Sequence, residues 1–252
     1  KKTYATPRKT SIENVGAAVY EEKKAEAMEV VALIDRFGYA KTIDKATFER
    51  NKEAALSESK YVISCMNTDK ICIFTDKGKM HTIKAVDIPL GRFRDKGTPV
   101  DNLSNYDSSQ ERMLYVAPVG QLRSDRLLFV TKTSMCKLVE GAEFDVAKRT
   151  IASTKLADED ELIFIGSASE MEQIVLQSHG GCFLRFLTQE VSTMKKTALG
   201  VRGMKLADDD YLEHAYLLAG HQEYTISYHD KEYALNKVRL AKRDTKGIKP
   251  RI

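Results

Sequence analysis

The 252-residue chain carries 40 Lys and Arg against 36 Asp and Glu, a formal net charge of +4. So mild a bias excludes a histone-like polycation, and any site for a polyanion must be a local patch. No apolar run approaches the ~18 residues of a membrane helix and no cleavable signal is visible, so the chain reads as soluble and cytoplasmic.

The chain begins at Lys1 on the basic stretch KKTYATPRKT and reads as the tail of something longer. Residues 1–28 are expected to form a linker arm. Within it EEKKAEAME, Glu21 to Glu29, contains helix formers yet suits a solvated connection better, and helical signals are confined to this arm.

From residue 29 to 252 the sequence is rich in strand formers and repeats itself, and repeats fix architecture before any other feature. The short apolar strands VVALID, ICIFTD, RLLFVTK, QIVLQS and YTISYH each run into a turn, at Gly38, Gly78, Ser134, Gly181 and Asp230. These turns lie about 40 to 56 residues apart, the size of a propeller blade. Five residues after each turn stand Ile43, Ile83, Val139, Phe186 and Leu235, and ten after stand Phe48, Ile88, Phe144, Val191 and Leu240. In four repeats another strand comes first, YVISCM, RMLYVAP, ELIFIGSA and EHAYLLAG, so each unit is expected to be a three-stranded meander followed by a tail. The tails repeat too: KLADEDEL (Lys155 to Leu162) matches KLADDDYL (Lys205 to Leu212), and GTPVDNL (Gly97 to Leu103) matches GVRGMKL (Gly200 to Leu206) in its Gly and Leu. The fold expected is all-β, a propeller-like disc of about five blades, each a roughly four-stranded antiparallel sheet.

A hairpin over Asn67 to Lys70 would place Cys65 opposite Cys72. With Cys136 and Cys182 they show no CxxC pair and no metal-ligand spacing with the five histidines, so reduced thiols and no zinc site are expected. No GxSxG, HExxH, P-loop or GxGxxG motif occurs. The acidic runs Asp158 to Glu161 and Asp208 to Asp210 occupy the same position in adjacent repeats and read as solvated turns. A catalytic propeller would need carboxylates or histidines converging on the axis, where the registers are apolar.

The cations cluster along the repeat. Lys77, Lys79, Lys84, Arg92, Arg94 and Lys96 fall between Asp76 and Lys96. Lys148 with Arg149, Lys195 with Lys196, and Arg202 with Lys205 follow later turns. Lys132, Lys137 and Arg185 lie on or beside the third and fourth hairpins, and the end of the chain adds Lys237, Arg239, Lys242, Arg243, Lys246, Lys249 and Arg251 against Asp244 alone. Any one lysine could simply solubilise the surface. Recurrence in register instead suggests a cationic track around a rim, suited to the regularly spaced phosphates of duplex DNA. Trp is absent, which argues against a single-strand stacking platform and against a WD or kelch interaction propeller, the alternative binding module.

Several of these pieces, in order, resemble the C-terminal domain of the A subunit of bacterial type IIA topoisomerases, that of DNA gyrase or topoisomerase IV: DRFGYAKTI, FTDKGKMHTIKAVDIP with RDKGTPVDNL, LQSHGGCFLRFLTQEV with ALGVRGMKL, and the closing DTKGIKPRI. TPRKT at Thr6 to Thr10 resembles the PRRT-like segment that follows the breakage-reunion part in that family. The resemblance implies a β-pinwheel, in which neighbouring blades exchange strands, binding and bending double-stranded DNA on its basic perimeter. It implies a non-catalytic fragment with no cofactor of its own, the catalytic tyrosine lying upstream and ATP and Mg2+ being used by other parts. Its implied partners are the rest of a homodimeric A subunit, together with the ATPase B subunit, in an A2B2 enzyme of the bacterial cytoplasm and nucleoid. One departure matters: where a gyrase would carry a QRRGGKG-like wrapping box, Phe48 to Lys60 reads FERNKEAALSESK, without glycine. This favours a topoisomerase IV-like domain over a divergent gyrase. The third repeat also departs, with Ser134 at its turn and Thr150 in place of glycine.

Overall fold

The computed structural model describes residues 26–220 and 222–250. The expected linker and its helix formers lie almost wholly outside them. The chain forms β1 (Glu29–Asp35), β2 (Tyr39–Asp44) and β3 (Ser59–Met66), then β4 (Lys70–Thr75), β5 (Lys79–Lys84), β6 (Thr98–Pro99) and β7 (Met113–Pro118). The third repeat supplies β8 (Arg126–Thr131), β9 (Met135–Glu140), β10 (Thr150–Ala152) and β11 (Leu162–Ser167). There follow β12 (Gln173–Ser178), β13 (Phe183–Leu187), β14 (Val201–Arg202) and β15 (Leu212–Leu218), then β16 (Thr225–Tyr228) and β17 (Lys231–Ala234).

These strands make five antiparallel sheets, β3-β1-β2-β6, β10-β5-β4-β7, β11-β8-β9-β14, β13-β12-β15 and β16-β17. All five predicted turns have left-handed φ, +83° at Gly38, +67° at Gly78, 71° at Ser134, +78° at Gly181 and 59° at Asp230. The turn register read from sequence is therefore that of the fold; of the residues ten past each turn, Phe48, Ile88, Phe144 and Val191 are buried, but Leu240 of the fifth repeat is exposed, contrary to the expectation.

The strand grouping within a repeat needs correction. YVISCM, as β3, pairs with β1 of the preceding hairpin, Val31 opposite Ser64 and Leu33 opposite Val62, and not with β4. Likewise β7 pairs with β4, β11 with β8 and β15 with β12. The cause is burial: β4, β8 and β12 are buried along five of their six residues, and such apolar strands need partners on both edges. The hairpin fills one edge and the returning strand the other. Cys65 thus lies opposite Val30 and Cys72 opposite Thr82 and Ala117, in separate sheets, and all four cysteines are free thiols.

The fourth strand of a sheet comes from the repeat that follows. β6 pairs with β2, β10 with β5 and β14 with β9, while Ile248 bridges Phe183 of β13. This exchange is the pinwheel pattern, and it puts the lent segments on the outer edges. Each gap between successive sheets holds its own apolar cluster: Ile34, Ile63, Ile71 and Ile83 in the first, Phe74, Phe129, Leu127 and Phe144 in the second, Leu128, Ile174, Phe186 and Val191 in the third, and Val175, Phe183, Leu218 and Leu235 in the fourth. Ile43, Ile83, Val139, Phe186 and Leu235, the residues five past each turn, are all buried.

Helices also occur outside the arm, contrary to the expectation. FERNKEAALSESK lies within α1 (Lys45–Arg50), α2 (Lys52–Glu58) and the start of β3. Asp44 starts α1 as its N-cap, accepting from the Thr47 backbone N–H at 2.8 Å. Phe48 and Ala55 turn inward onto Val31, Leu33 and Ile43, so the helices cover the outer face of the first sheet. Two single turns, α3 (Val100–Leu103) and α4 (Val119–Leu122), complete the α-helices among the described residues. The last sheet, with two strands, presents exposed Thr225, Ser227, Lys231 and Glu232.

Candidate nucleic-acid interface

Strand exchange explains why cations recur on the perimeter. After each of the later hairpins a 3-10 turn (Ala85–Asp87, Gly141–Phe144, Thr188–Glu190, Leu235–Lys237) redirects the chain alongside the preceding sheet. The redirected segments hydrogen-bond to that sheet's second strand: Thr42 N–H donates to Pro89, Thr82 N–H to Arg149, Leu138 N–H to Ser192, and Ala241 N–H donates to Arg185. They carry Arg92, Arg94 and Lys96, then Lys148 and Arg149, then Lys195 and Lys196, then Lys242 and Arg243.

The structure sorts the predicted cations by what their charge meets. Lys84, Arg92, Arg94, Lys148, Arg149, Lys195, Lys205 and Lys246 are exposed, and their side-chain nitrogens have no ion pair or hydrogen bond among the described residues. Lys96 is exposed with its Nζ 4.4 Å from the Tyr39 ring centre, a cation–π contact that leaves the ammonium open to solvent. Lys77 and Lys132 converge on Glu161 at 3.2 and 3.4 Å. Burial opposes ionisation of Glu161, but the two ammonium groups hold its carboxyl below the ordinary value. Arg202 pairs with Asp244 through two nitrogens and holds that carboxyl down as well. Arg202 is thus balanced by its own carboxylate, whereas Lys77 and Lys132 share one and keep a net +1 between them.

Others serve the chain itself. Lys196 Nζ donates to the Glu143 carbonyl at 2.8 Å, Arg243 Nε to the Glu190 carbonyl at 3.1 Å, and Arg185 to the Asn236 carbonyl. Lys137 must be withdrawn from the rim: it is 1% exposed, and its ammonium donates to the carbonyls of Lys196 at 2.8 Å and Ala198 at 2.7 Å and, more loosely, Lys195 at 3.4 Å. Burial pushes that ammonium down to about 8, with Glu143 opposing. Lys41, unremarked in the sequence, plays the same part in the first sheet, donating to the carbonyls of Phe93 and Asp95. Beside these lysines stand Gly97 and Gly200, where a Cβ would lie 2.4 Å from Ala40 O and 2.7 Å from Cys136 O.

The second sheet uses different chemistry at this place. His81 replaces the lysine and pairs with Thr150, which replaces the glycine. Its Nδ1 lies 3.1 Å from Thr150 Oγ1 and its Nε2 3.1 Å from Glu111 Oε2, with Thr75 Oγ1 donating to Glu111 at 2.7 Å and Lys79 Nζ at 2.9 Å. Lys79, expected on the rim, is therefore tied to a buried carboxylate. Glu111 carried no sequence signal, because it belongs to no repeated motif, and His81, three residues past its turn as Lys41 and Lys137 are, differs from them only in residue type, which names no partner. No group of three or more metal-ligating side chains occurs among the described residues.

A family model described as "DNA gyrase C-terminal domain, beta-propeller" matches residues 69–108, 125–169 and 172–219. The chain is 27% identical over 267 aligned residues to the A subunit of DNA gyrase from Lawsonia intracellularis, covering 98% of this chain and 32% of that protein. It is 24% identical over 263 residues to the A subunit of DNA topoisomerase 4 from Streptococcus pneumoniae, with 98% and 32% covered. The chain thus spans about a third of the length of these relatives. In fold it matches the crystal structure of a C-terminal domain of DNA topoisomerase IV with a TM-score of 0.78 at 22% identity, covering 89% of this chain and 73% of that one. It matches the E. coli ParC C-terminal domain at 0.70 and 13% identity, with 89% and 94% covered. With its exchanged strands, five sheets and matched repeats, the chain belongs to the DNA gyrase C-terminal domain family of β-propellers.

Proposed function

We propose that this chain binds and bends duplex DNA for a type IIA topoisomerase, as the non-catalytic C-terminal domain of its A subunit. The observation that carries the reading is the register of unpaired cations on successive lent segments, Arg92 and Arg94, then Lys148 and Arg149, then Lys195. Outer edges of neighbouring sheets offer these charges at repeated intervals, which suits a phosphate backbone and needs no base-edge contact. Bending follows if several edges engage one duplex together. The partners in this reading are the remainder of a dimeric A subunit, together with an ATPase B subunit, with ATP and Mg2+ used outside this chain. The setting is the bacterial cytoplasm; among the described residues no helix is long and apolar enough to cross a membrane.

A topoisomerase IV-like role is favoured over gyrase-like wrapping. Where a flexible Gly- and Arg-rich loop would reach for DNA, this chain has α1 and α2, closed onto Val31, Leu33 and Ile43. Gyrase-type activity remains the second reading, because relatives of both names align with nearly the whole chain. Two measurements test the proposal. Duplex affinity of the chain should fall steeply with salt and show no sequence preference; salt-insensitive or absent binding overturns the DNA reading. The parent A subunit with its B partner should relax plasmid without introducing negative supercoils, and supercoiling would assign it to the gyrase class instead.

A further inference from the structure

The first hairpin ends in an exposed aromatic. Phe37 is 86% exposed, the largest value among the exposed large hydrophobic residues, and it sits at the tip between β1 and β2. A single exposed apolar side chain is ordinary in itself. Three features set this one apart.

Its backbone is fixed. The Asp35 carboxylate accepts from the N–H of Phe37 at 2.8 Å and of Tyr39 at 2.9 Å, and Gly38 N–H donates to the Asp35 carbonyl at 3.3 Å. The ring is thus held out on a rigid turn. Its neighbours are cationic: Arg36, Arg94 and Lys96 line the same open cleft of about 900 Å³. Arg36 is steadied by donation to the Ser57 carbonyl at 3.2 Å, and Arg94 has no partner among the described residues. Lys41 lines the cleft too, so four cations face three acids there: Asp35, whose carboxylate accepts the turn amides, Asp95, which accepts from the Arg92 N–H at 2.7 Å, and Glu58 at the end of α2. Finally, the residue at this place in the other turns is Lys77, Thr133, Gly180 or His229, so the apolar ring is peculiar to the first sheet.

We propose that Phe37 is a wedge for the duplex. Arg36, Arg94 and Lys96 take phosphates on either side, and the ring enters a base step, unstacking it and kinking the helix at the first sheet. A rigid apolar side chain flanked by cations meets both demands of such a contact, since phosphate binding offsets part of the cost of unstacking. Flexible pyrimidine–purine steps are the sites of choice, because they open at least cost. The inference rests on the DNA-binding reading above.

The test uses the chain with a short duplex bearing 2-aminopurine at its TA steps and a fluorophore pair at its ends. Binding of the wild type should raise 2-aminopurine emission and shorten the end-to-end distance. Phe37→Ala should lose the emission rise and much of the bend, with affinity roughly fivefold weaker, the low end for one base–aromatic stack. Its salt slope should be unchanged because the cations remain, and Phe37→Trp should restore the emission change. Thermal melting should be equal for all three, since the side chain packs on little. Binding without an emission rise, or an alanine variant indistinguishable from wild type, overturns the wedge and leaves the DNA reading standing. Failure of the wild type to bind duplex overturns both.

Discussion

His81 Nδ1 lies 3.1 Å from Thr150 Oγ1, a hydrogen bond joining a strand of the second sheet to the segment lent by the next repeat. On its other side the ring meets Glu111, so one buried network fastens the exchanged edge. Burial opposes ionisation of Glu111, yet Lys79, Thr75 and His81 together hold its carboxyl below the ordinary 4.5. A carboxyl depressed in the folded state contributes stability above its unfolded value and loses it as pH falls. Glu111→Gln should therefore lower stability at neutral pH and flatten its decline below about pH 4.5, read by urea melts across that range. A parallel decline in both proteins counts against the network.

Lys137→Met should cost about 2 to 3 kcal/mol, because the carbonyls of Lys196 and Ala198 would lose their donor where no partner replaces it. The lysine is pushed down to about 8 from 10.5 in the unfolded chain. Between those values the unfolded chain binds a proton that the folded one lacks, so wild-type stability should rise with pH there. The gap between wild type and variant should accordingly widen from pH 8 to 10.5 in denaturant melts.

Reversing Arg92 and Arg94 to Glu should weaken duplex binding and reduce the salt slope by about one for each phosphate that is no longer neutralised. Melting should hardly change, as neither side chain has an intramolecular partner among the described residues. Reversing Lys77 should do less for affinity, because its ammonium is drawn onto Glu161 at 3.2 Å and is less free to meet a phosphate. Equal effects from the paired and the unpaired cations would show that pairing does not govern access.

Gly78→Val should destabilise the second sheet. Its φ is +67°, and a Cβ would stand 3.1 Å from both Leu156 Cδ1 and Thr154 Cγ2. Left-handed strain alone costs about 1 to 2 kcal/mol for an L-residue, and the crowding adds to it. A melting temperature equal to wild type would contradict the turn geometry.

The turns and apolar registers were legible in the sequence because each repeats: Ile43, Ile83, Val139 and Phe186 recur at one distance from a left-handed residue. Strand partners were not, since the alternation of YVISCM is the same whichever neighbour it joins. Lys137 read as a rim cation because side-chain type says nothing of three carbonyls brought to it from residues 195–198. The helices at Lys45–Arg50 and Lys52–Glu58 escaped notice because six or seven residues are too few to show a helical period. Phe37 gave no signal either: in DRFGYAKTI it stands beside the turn glycine, a place that says nothing of burial, and only its exposure singles it out.

Strand lending has a consequence for how such an array is made and divided. The second strand of one sheet is edged by a segment from the following repeat, as β2 is by β6 and β9 by β14, so a cut between repeats leaves an open edge behind it. Units joined this way cannot be deleted singly or shuffled like beads, and on the ribosome each sheet must wait for its successor to emerge before its outer edge is closed.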